Sequence, residues 1–482
     1  MINKRIILNI LGLSIFIEGL FMLFPILVSL IYQENDLKTN VFAFLITTVT
    51  GFLLWMSTRV PENEIGKRDA YLIVPTVWIM FSLFGALPLY LGGYVHGYTN
   101  AFFETMSGFT TTGASVIANV EALPHGVLFW RSLTHLLGGI GILIMFIAIL
   151  PFLGVGGSQL FQVESVGFTV NKLRPRVRAT ARALWIIYLS LVFAETIFLI
   201  LGKMPVFDAL CHSFGTIATG GFSTKNNSIA AYSPYIQYVI IIFMILAGTN
   251  FTLHMQMARG EWKAPFRNPE FRLYLIFLVT AGLFITALII IFHDDKPSSA
   301  FRDAFFQTTS ILTCTGFSTV DYMKWSHQLW FFIFLLMFIG GSSGSTAGGI
   351  KVARYLLFFK NMRLQFQRLL HPKAVFSLKI GDLTVTNELM SRTFAFFVAY
   401  MFTFAIGTLI LHFNGLDTAS AMGAVATTMG GIGPGLGSVG PASTYAAVPL
   451  FGKWVLSALM LLGRLELFAI MILFSRVFWS NK

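Results

Sequence analysis

Four short Thr/Gly-rich tracts recur along this chain, each lying between two long apolar segments. They are Thr110-Thr111-Thr112-Gly113, Ala218-Thr219-Gly220-Gly221, Thr313-Cys314-Thr315-Gly316 and Gly430-Gly431-Ile432-Gly433. A half-length apolar segment precedes each tract, so one unit of helix, half-helix, tract and helix is used four times. The composition names the solvent: 56% of the 482 residues are hydrophobic and only 11% are charged. A water-soluble chain carries about twice that charge. Apolar runs of about 20 residues, enough to cross a hydrocarbon core of ~30 Å, recur from end to end. Backbone polar groups in lipid must be satisfied internally, so the spanning pieces are expected to be helices. The fold class is therefore an all-α polytopic membrane protein: four non-identical helix–loop–helix repeats around a pseudo-four-fold axis, plus an N-terminal helix pair.

The N-terminal pair is predicted at 6–31 and 39–58. The repeated pairs follow at 70–92 and 128–150, 183–202 and 235–257, 271–293 and 328–360, and 390–412 and 452–477. A basic segment, 155–182, is placed at the inner surface. The expected division is 1–69 for the N-terminal pair and 70–182, 183–260, 261–388 and 389–482 for the four repeats. Lys4 and Arg5 before an apolar run resemble a signal peptide, but the run is too long, carries Glu18 and lacks a small-residue cleavage site. It reads as a retained helix. The net charge is +12, from 33 Lys+Arg against 21 Asp+Glu. The basic residues cluster in alternate connections: Arg59, Lys67 and Arg68, then 172–182, 259–272 and 351–392. This is the positive-inside bias of a cytoplasmic membrane protein, and it places both termini in the cytoplasm rather than pointing to nucleic acid. Cys211 and Cys314 lie in different repeats, which predicts no disulfide framework.

Each half-length segment carries a helix-starting residue: Asn100, Asp208, Asp303 or Asp417. In three repeats the same spacing leads from this residue to the final glycine. In the fourth it leads to Gly430, whereas Gly433 better matches the other tracts; Gly433 with a three-residue insertion is the preferred register. About ten helical residues span ~15 Å, half the hydrocarbon core, before the chain turns back. The helix C-terminus, with roughly half a negative charge, then points at the centre. Glycine lets backbones approach closely, and threonine supplies a hydroxyl that either coordinates or braces. Four such tracts make a ring of carbonyls able to replace the water shell of a cation. The tracts contain no carboxylate, so neutral dipoles are expected to select a monovalent ion, potassium, as the transported K+.

Gly340-Gly341-Ser342-Ser343-Gly344-Ser345-Thr346-Ala347-Gly348-Gly349 interrupts the second helix of repeat three. The apolar stretch before it, 328–339, makes only ~18 Å of helix, so the break falls at membrane depth. Irregular backbone there must be buried in protein or beside water. A flexible plug under the ring is the leading reading; a small-residue packing surface is the other. Arg464 sits mid-span, where an arginine costs about 2.5–3.5 kcal/mol on insertion scales. It either pairs with a carboxylate or projects below the ring toward the Gly-rich loop. Lys351 either anchors that loop or obeys the charge bias. Glu18 and Glu195 lie in apolar spans, where bonding to neighbouring helices is the leading reading and proton coupling the other. His135 and His212 read as packed or hydrogen-bonded.

The segments Thr111-Thr112-Gly113-Ala114-Ser115, Gly220-Gly221-Phe222-Ser223 and Cys314-Thr315-Gly316-Phe317-Ser318 resemble those of the Trk/Ktr/HKT superfamily of cation transporters. Ile432-Gly433-Pro434-Gly435-Leu436-Gly437 is similar to the fourth-repeat motif of bacterial Trk-type membrane subunits, and the extra N-terminal pair matches that branch. The resemblance implies potassium uptake across the bacterial inner membrane. It also implies a membrane homodimer and a cytoplasmic nucleotide-binding regulatory ring of the TrkA type. It favours the Gly-rich segment as a gating loop with Arg464 beneath the ring, and Gly113 as a mark of potassium rather than sodium. Whether transport is channel-like or symport stays open. Gly435 to Gly440 spells a dinucleotide pattern but follows no strand, and 344–351 lacks a P-loop ending. No enzymatic chemistry and no organic cofactor are expected. The alternative function is a secondary transporter for a small organic solute or anion.

Overall fold

The computed structural model describes residues 2–59, 66–148, 173–293, 296–374, 376–380 and 383–480. The N-terminal unit comprises α1 (Lys4–Phe21), α2 (Leu23–Tyr32) and α3 (Leu37–Ser57). Repeat one comprises α4 (Lys67–Gly85), α5 (Leu87–Leu91), the half-helix α6 (Tyr98–Phe109) and α7 (His125–Ala148). Repeat two comprises α8 (Leu173–Leu201), the half-helix α9 (Val206–Ile217), α10 (Pro234–Ala247) and α11 (Phe251–Ala258). Repeat three comprises α12 (Pro269–His293), the half-helix α13 (Pro297–Leu312), α14 (His327–Leu336) and α15 (Val352–Leu370). Repeat four comprises α16 (Asn387–Phe413), the half-helix α17 (Thr418–Gly430), α18 (Leu450–Arg464) and α19 (Phe468–Met471). Among the described residues the strands are a single two-residue pair, Lys379–Ile380 against Leu383–Thr384.

Seven of the described helices are long and apolar enough to cross a membrane, or nine if each of two bent pairs counts as one span. The tenth span expected from sequence is the broken second helix of repeat three, whose apolar part is the short α14. The second helices of repeats two and four were expected to be continuous, but both bend. α10 and α11 meet at 97°, and α18 turns by 111° into the segment that follows it. The first bend is made at Gly248 to Asn250, where the Asn250 side chain caps α11 by accepting from Thr252 N at 2.9 Å. The second is made at Glu466 and Leu467, both with positive φ. Of the basic segment expected at 155–182, residues up to 172 lie outside the described residues. The remainder extends the N-terminal end of α8 rather than forming a separate surface segment.

α1 lies against α3 along glycines. A Cβ on Gly12 would stand 2.5 Å from Trp55 N, and one on Gly51 would stand 2.3 Å from Phe16 N. Small residues of this kind let helix backbones touch where lipid supplies no hydrophobic drive. The half-helices are buried throughout their last turns. The surrounding long helices present their exposed Phe, Leu and Ile outward, as expected of a lipid-facing wall.

One local expectation fails in three repeats. Only Asp417 caps its half-helix, accepting from Ser420 N at 3.1 Å. Asn100, Asp208 and Asp303 lie inside their helices, and α6, α9 and α13 begin at Tyr98, Val206 and Pro297 without a side-chain cap. The two carboxylates reach instead for the returning chain: Asp208 accepts from Thr224 Oγ1 at 2.7 Å, and Asp303 accepts from Thr319 Oγ1 at 3.1 Å.

Candidate functional site

Each half-helix ends the same way. The amides of Thr112, Gly220, Thr315 and Ile432 turn back to the carbonyls of Ser107, Gly215, Ser310 and Thr427 at 2.8, 2.7, 2.8 and 2.9 Å. This closes the helix with a left-handed residue, as in a Schellman cap. That residue is Thr111 (φ 52°), Thr219 (φ 54°), Cys314 (φ 58°) or Gly431 (φ 70°). Two positions further on stand Gly113, Gly221, Gly316 and Gly433, with φ of 82°, 79°, 85° and 93°. The backbone thus puts Gly433, not Gly430, in register with the other three final glycines; Gly430 is the last residue of α17.

The four tracts meet in a closed ring. A Cβ built on Gly113 would stand 2.1 Å from the carbonyl oxygen of Gly220, and one on Gly221 would stand 2.1 Å from that of Thr315. The series continues from Gly316 to Ile432 O at 1.8 Å and returns from Gly433 to Thr112 O at 2.8 Å. Each glycine therefore abuts the next tract, and the fourth abuts the first. The carbonyls of Thr112, Gly220, Thr315 and Ile432 accept none of the hydrogen bonds among the described residues. Such oxygens are available to a ligand, since buried carbonyls are otherwise nearly always paired.

Threonine braces rather than lines this ring where its hydroxyl is engaged. Thr110 and Thr112 share a 2.9 Å hydroxyl bond, and Thr313 and Thr315 share one of 2.8 Å. Tract four lacks such a pair. There Tyr445 OH donates to Gly433 O at 2.7 Å, and Tyr322 OH donates to Gly435 O at 2.7 Å. His135 joins tracts one and two: Nδ1–H donates to Gly108 O at 2.8 Å, and Nε2 accepts from Phe222 N at 3.1 Å. Behind tract one, Glu104 and Arg131 form a buried ion pair of 2.6 Å.

On one side of the ring lies a cavity of about 400 Å³, bordered by all four final glycines and by Ser115, Ser223 and Ser318. On the other side lies the Gly-rich loop. Thr346 Oγ1 donates to Ile217 O at 2.9 Å, at the end of the second half-helix. A Cβ on Gly348 would stand 2.1 Å from Gly430 O, at the end of the fourth. The helical break is longer than the ten residues marked in the sequence, running from 337 to 351. Gly340 and Gly349 touch one another at the neck of the loop, and Ser342 N donates to Gly248 O at 2.9 Å, at the bend of repeat two. Ser343 N donates to Glu270 Oε1 at 2.5 Å. Gly341, Gly344, Ser345 and Ala347 complete the loop; Lys351, buried and with φ 74°, closes it through its amide on Ile339 O.

Among the described residues, Arg464 is paired with no carboxylate. It donates from Nη1 to Thr346 O at 2.6 Å and from Nη2 to Gly138 O at 3.2 Å. The nearby Glu466 binds Arg354 at 2.6 Å. Glu104, Arg131, Arg354 and Glu466 all escaped the sequence reading. A signal was present for the arginines, since each falls in or beside an apolar helix where a charge is costly. Glu18 and Glu195 are buried, and among the described residues neither oxygen of Glu18 has a hydrogen-bond partner.

A membrane bundle that brings four carbonyl-bearing tracts into one ring, with a cavity on one side and the Gly-rich loop on the other, has the build of a transport protein. Comparison with known proteins agrees. The profile of the TrkH family, described as cation transport protein, matches residues 37–482, and the chain belongs to that family. It is 39% identical to a Trk system potassium uptake protein TrkH of Salmonella typhimurium, with 99% of each chain covered. It is likewise 39% identical to a TrkH of Halomonas elongata, over 99% of this chain and 100% of that one. The crystal structure of the potassium transporter TrkH from Vibrio parahaemolyticus superposes with a TM-score of 0.92 at 38% identity, covering 99% of this chain and 100% of the other.

Proposed function

We propose that this chain takes up potassium across the cytoplasmic membrane, and that the ring formed by residues 110–113, 218–221, 313–316 and 430–433 is its selectivity filter. The observation that carries the reading is the cyclic contact of the four glycines with unpaired carbonyls of the next tract. Carbonyl oxygens in such an array replace the hydration shell of a monovalent ion, and the four half-helix C-termini add partial negative charge. The relatives' names supply the ion. Residues 340–349, with Lys351 and Arg464, act as the gate: the loop lies against the half-helix ends, and Arg464 holds it by the Thr346 carbonyl. A secondary transporter for an organic solute or anion fits less well, because the four tracts present backbone carbonyls, which favour a cation, and the relatives are potassium uptake proteins.

In this reading the cavity faces outward and both termini face the cytoplasm, in line with the Lys/Arg bias. The units 1–69, 70–182, 183–260, 261–388 and 389–482 are the pieces of the assembly. A second copy of the chain and a nucleotide-binding ring of the TrkA type complete it. The test is rubidium uptake by full-length protein in proteoliposomes, with potassium, sodium and an amino acid as competitors. Competition by potassium alone supports the proposal; competition by the amino acid would replace it with the solute reading.

A further inference from the structure

Nine residues before its final glycine, the first half-helix carries a buried carboxylate, Glu104. Its equivalents, counted back from each final glycine, are His212, Gln307 and Ala424. In repeats one and two this side chain binds the serine that follows the ring: Glu104 Oε1 accepts from Ser115 Oγ at 2.9 Å, and His212 Nε2 accepts from Ser223 Oγ at 2.9 Å. Gln307 donates to Val320 O at 3.2 Å, and Ala424 has no polar atom to offer. The support thus weakens around the ring, from charged to neutral to absent.

Glu104 is completely buried, and its carboxylate is fully used. Oε2 accepts from Val116 N at 2.8 Å, while Oε1 also accepts from Arg131 Nε at 2.6 Å. Arg131 comes from α7 and is itself 4% exposed. Its Nη1 donates to Ser223 O at 3.3 Å, its guanidinium lies 3.7 Å from the Phe222 ring centroid, and it borders the cavity. One ion pair therefore grips the chain leaving tract one and the chain leaving tract two. Buried charge pairs are costly unless hydrogen bonds offset their desolvation, and here those bonds go to Ser115, Val116 and Ser223, on the turns that follow tracts one and two.

We infer that Glu104 and Arg131 are positioning residues for ion selection. They clamp the outer ends of tracts one and two at the separation that a dehydrated monovalent cation requires. The inference rests on the filter reading above. Its test is the ratio of rubidium to sodium uptake, per reconstituted full-length protein, for the natural chain and for Glu104→Gln, Arg131→Lys and Ser115→Ala. Glu104→Gln should lower the ratio about tenfold, the size of one charge-assisted hydrogen bond. Arg131→Lys, which keeps the charge but loses the fork to Ser223, should lower it by about threefold or more. Ser115→Ala should fall between the natural chain and Glu104→Gln.

If Glu104→Gln does not yield folded protein, Arg131→Lys and Ser115→Ala decide the matter. A natural chain with a ratio near one defeats the filter reading itself. A selective natural chain whose folded variants keep its ratio, with lowered thermal stability alone, overturns the clamp and leaves the filter standing.

Discussion

Thr111, Thr219 and Cys314 hold a left-handed backbone that costs an L-residue roughly 1–2 kcal/mol, whereas tract four uses Gly431 at that point. The strain is tolerated because the cap bonds and hydroxyl braces overdetermine the turn. The final glycines have no such freedom. Gly113→Ala would drive a Cβ to within 2.1 Å of Gly220 O at φ 82°. We expect this variant to lose rubidium uptake by about tenfold or more while reaching the membrane in normal amount, as judged by transport assay and quantitative blot. Arg464→Ala frees the Thr346 and Gly138 carbonyls; it should raise basal flux about fivefold or more, the worth of a charge-assisted bond, measured without any soluble partner.

At this scale a costly charge was legible in one span and overlooked in others, as at Arg131 and Glu104. Arg464 stood out because a mid-span arginine needs a reason. Asn100, Asp208 and Asp303 looked like caps, yet a carboxylate inside a helix, as at Asp208 and Asp303, serves equally to hold a returning loop. The recurring offset from Asp208 to Thr224 and from Asp303 to Thr319 was the signal that distinguishes the two.

Among the elements, the Gly-rich break of repeat three was legible because glycine removes helix propensity wherever it accumulates. The bends of repeats two and four were not. Each occurs in sequence that scores as helix, and the second is held from afar: Glu466, at the bend, is pinned by Arg354 of α15, whose guanidinium also lies 3.7 Å from the Phe396 ring centroid. Glu466→Gln leaves that arginine without its buried partner and should cost about 3 kcal/mol or more, seen as a lowered unfolding temperature in detergent. The half-helix α17 starts on Asp417, whose carboxyl is held below its ordinary value by hydrogen bonding from Ser420. A lowered folded pKa contributes stability that is complete above the ordinary value of 3.8 and is lost as pH falls through the lowered one. Asp417→Ala should therefore cost about 1 kcal/mol at neutral pH and less at low pH, where the natural chain has lost the cap charge but keeps a neutral acceptor, as read from unfolding temperature in detergent.

The whole molecule is a ring closed by unlike parts. The seam between repeats four and one is tied by Tyr445 N, which donates to Ser115 O at 2.8 Å, and by Lys453 Nζ, which donates to Asn100 Oδ1 at 2.8 Å. This seam also has the widest of the four glycine contacts, 2.8 Å at Gly433. The overall plan was readable because four tracts in equivalent topological places have few other uses. The inter-repeat ties were not, because Lys453 and Asn100 are 353 residues apart and neither carries a local signature. The central claim, that the carbonyl ring selects potassium, meets its most direct test in the reversal potential of reconstituted full-length protein under opposed potassium and sodium gradients. The account predicts a potential near the potassium equilibrium value, displaced toward zero by Gly113→Ala, Gly221→Ala, Gly316→Ala and Gly433→Ala alike. A natural chain reversing at zero, or a potassium potential untouched by all four substitutions, would contradict it.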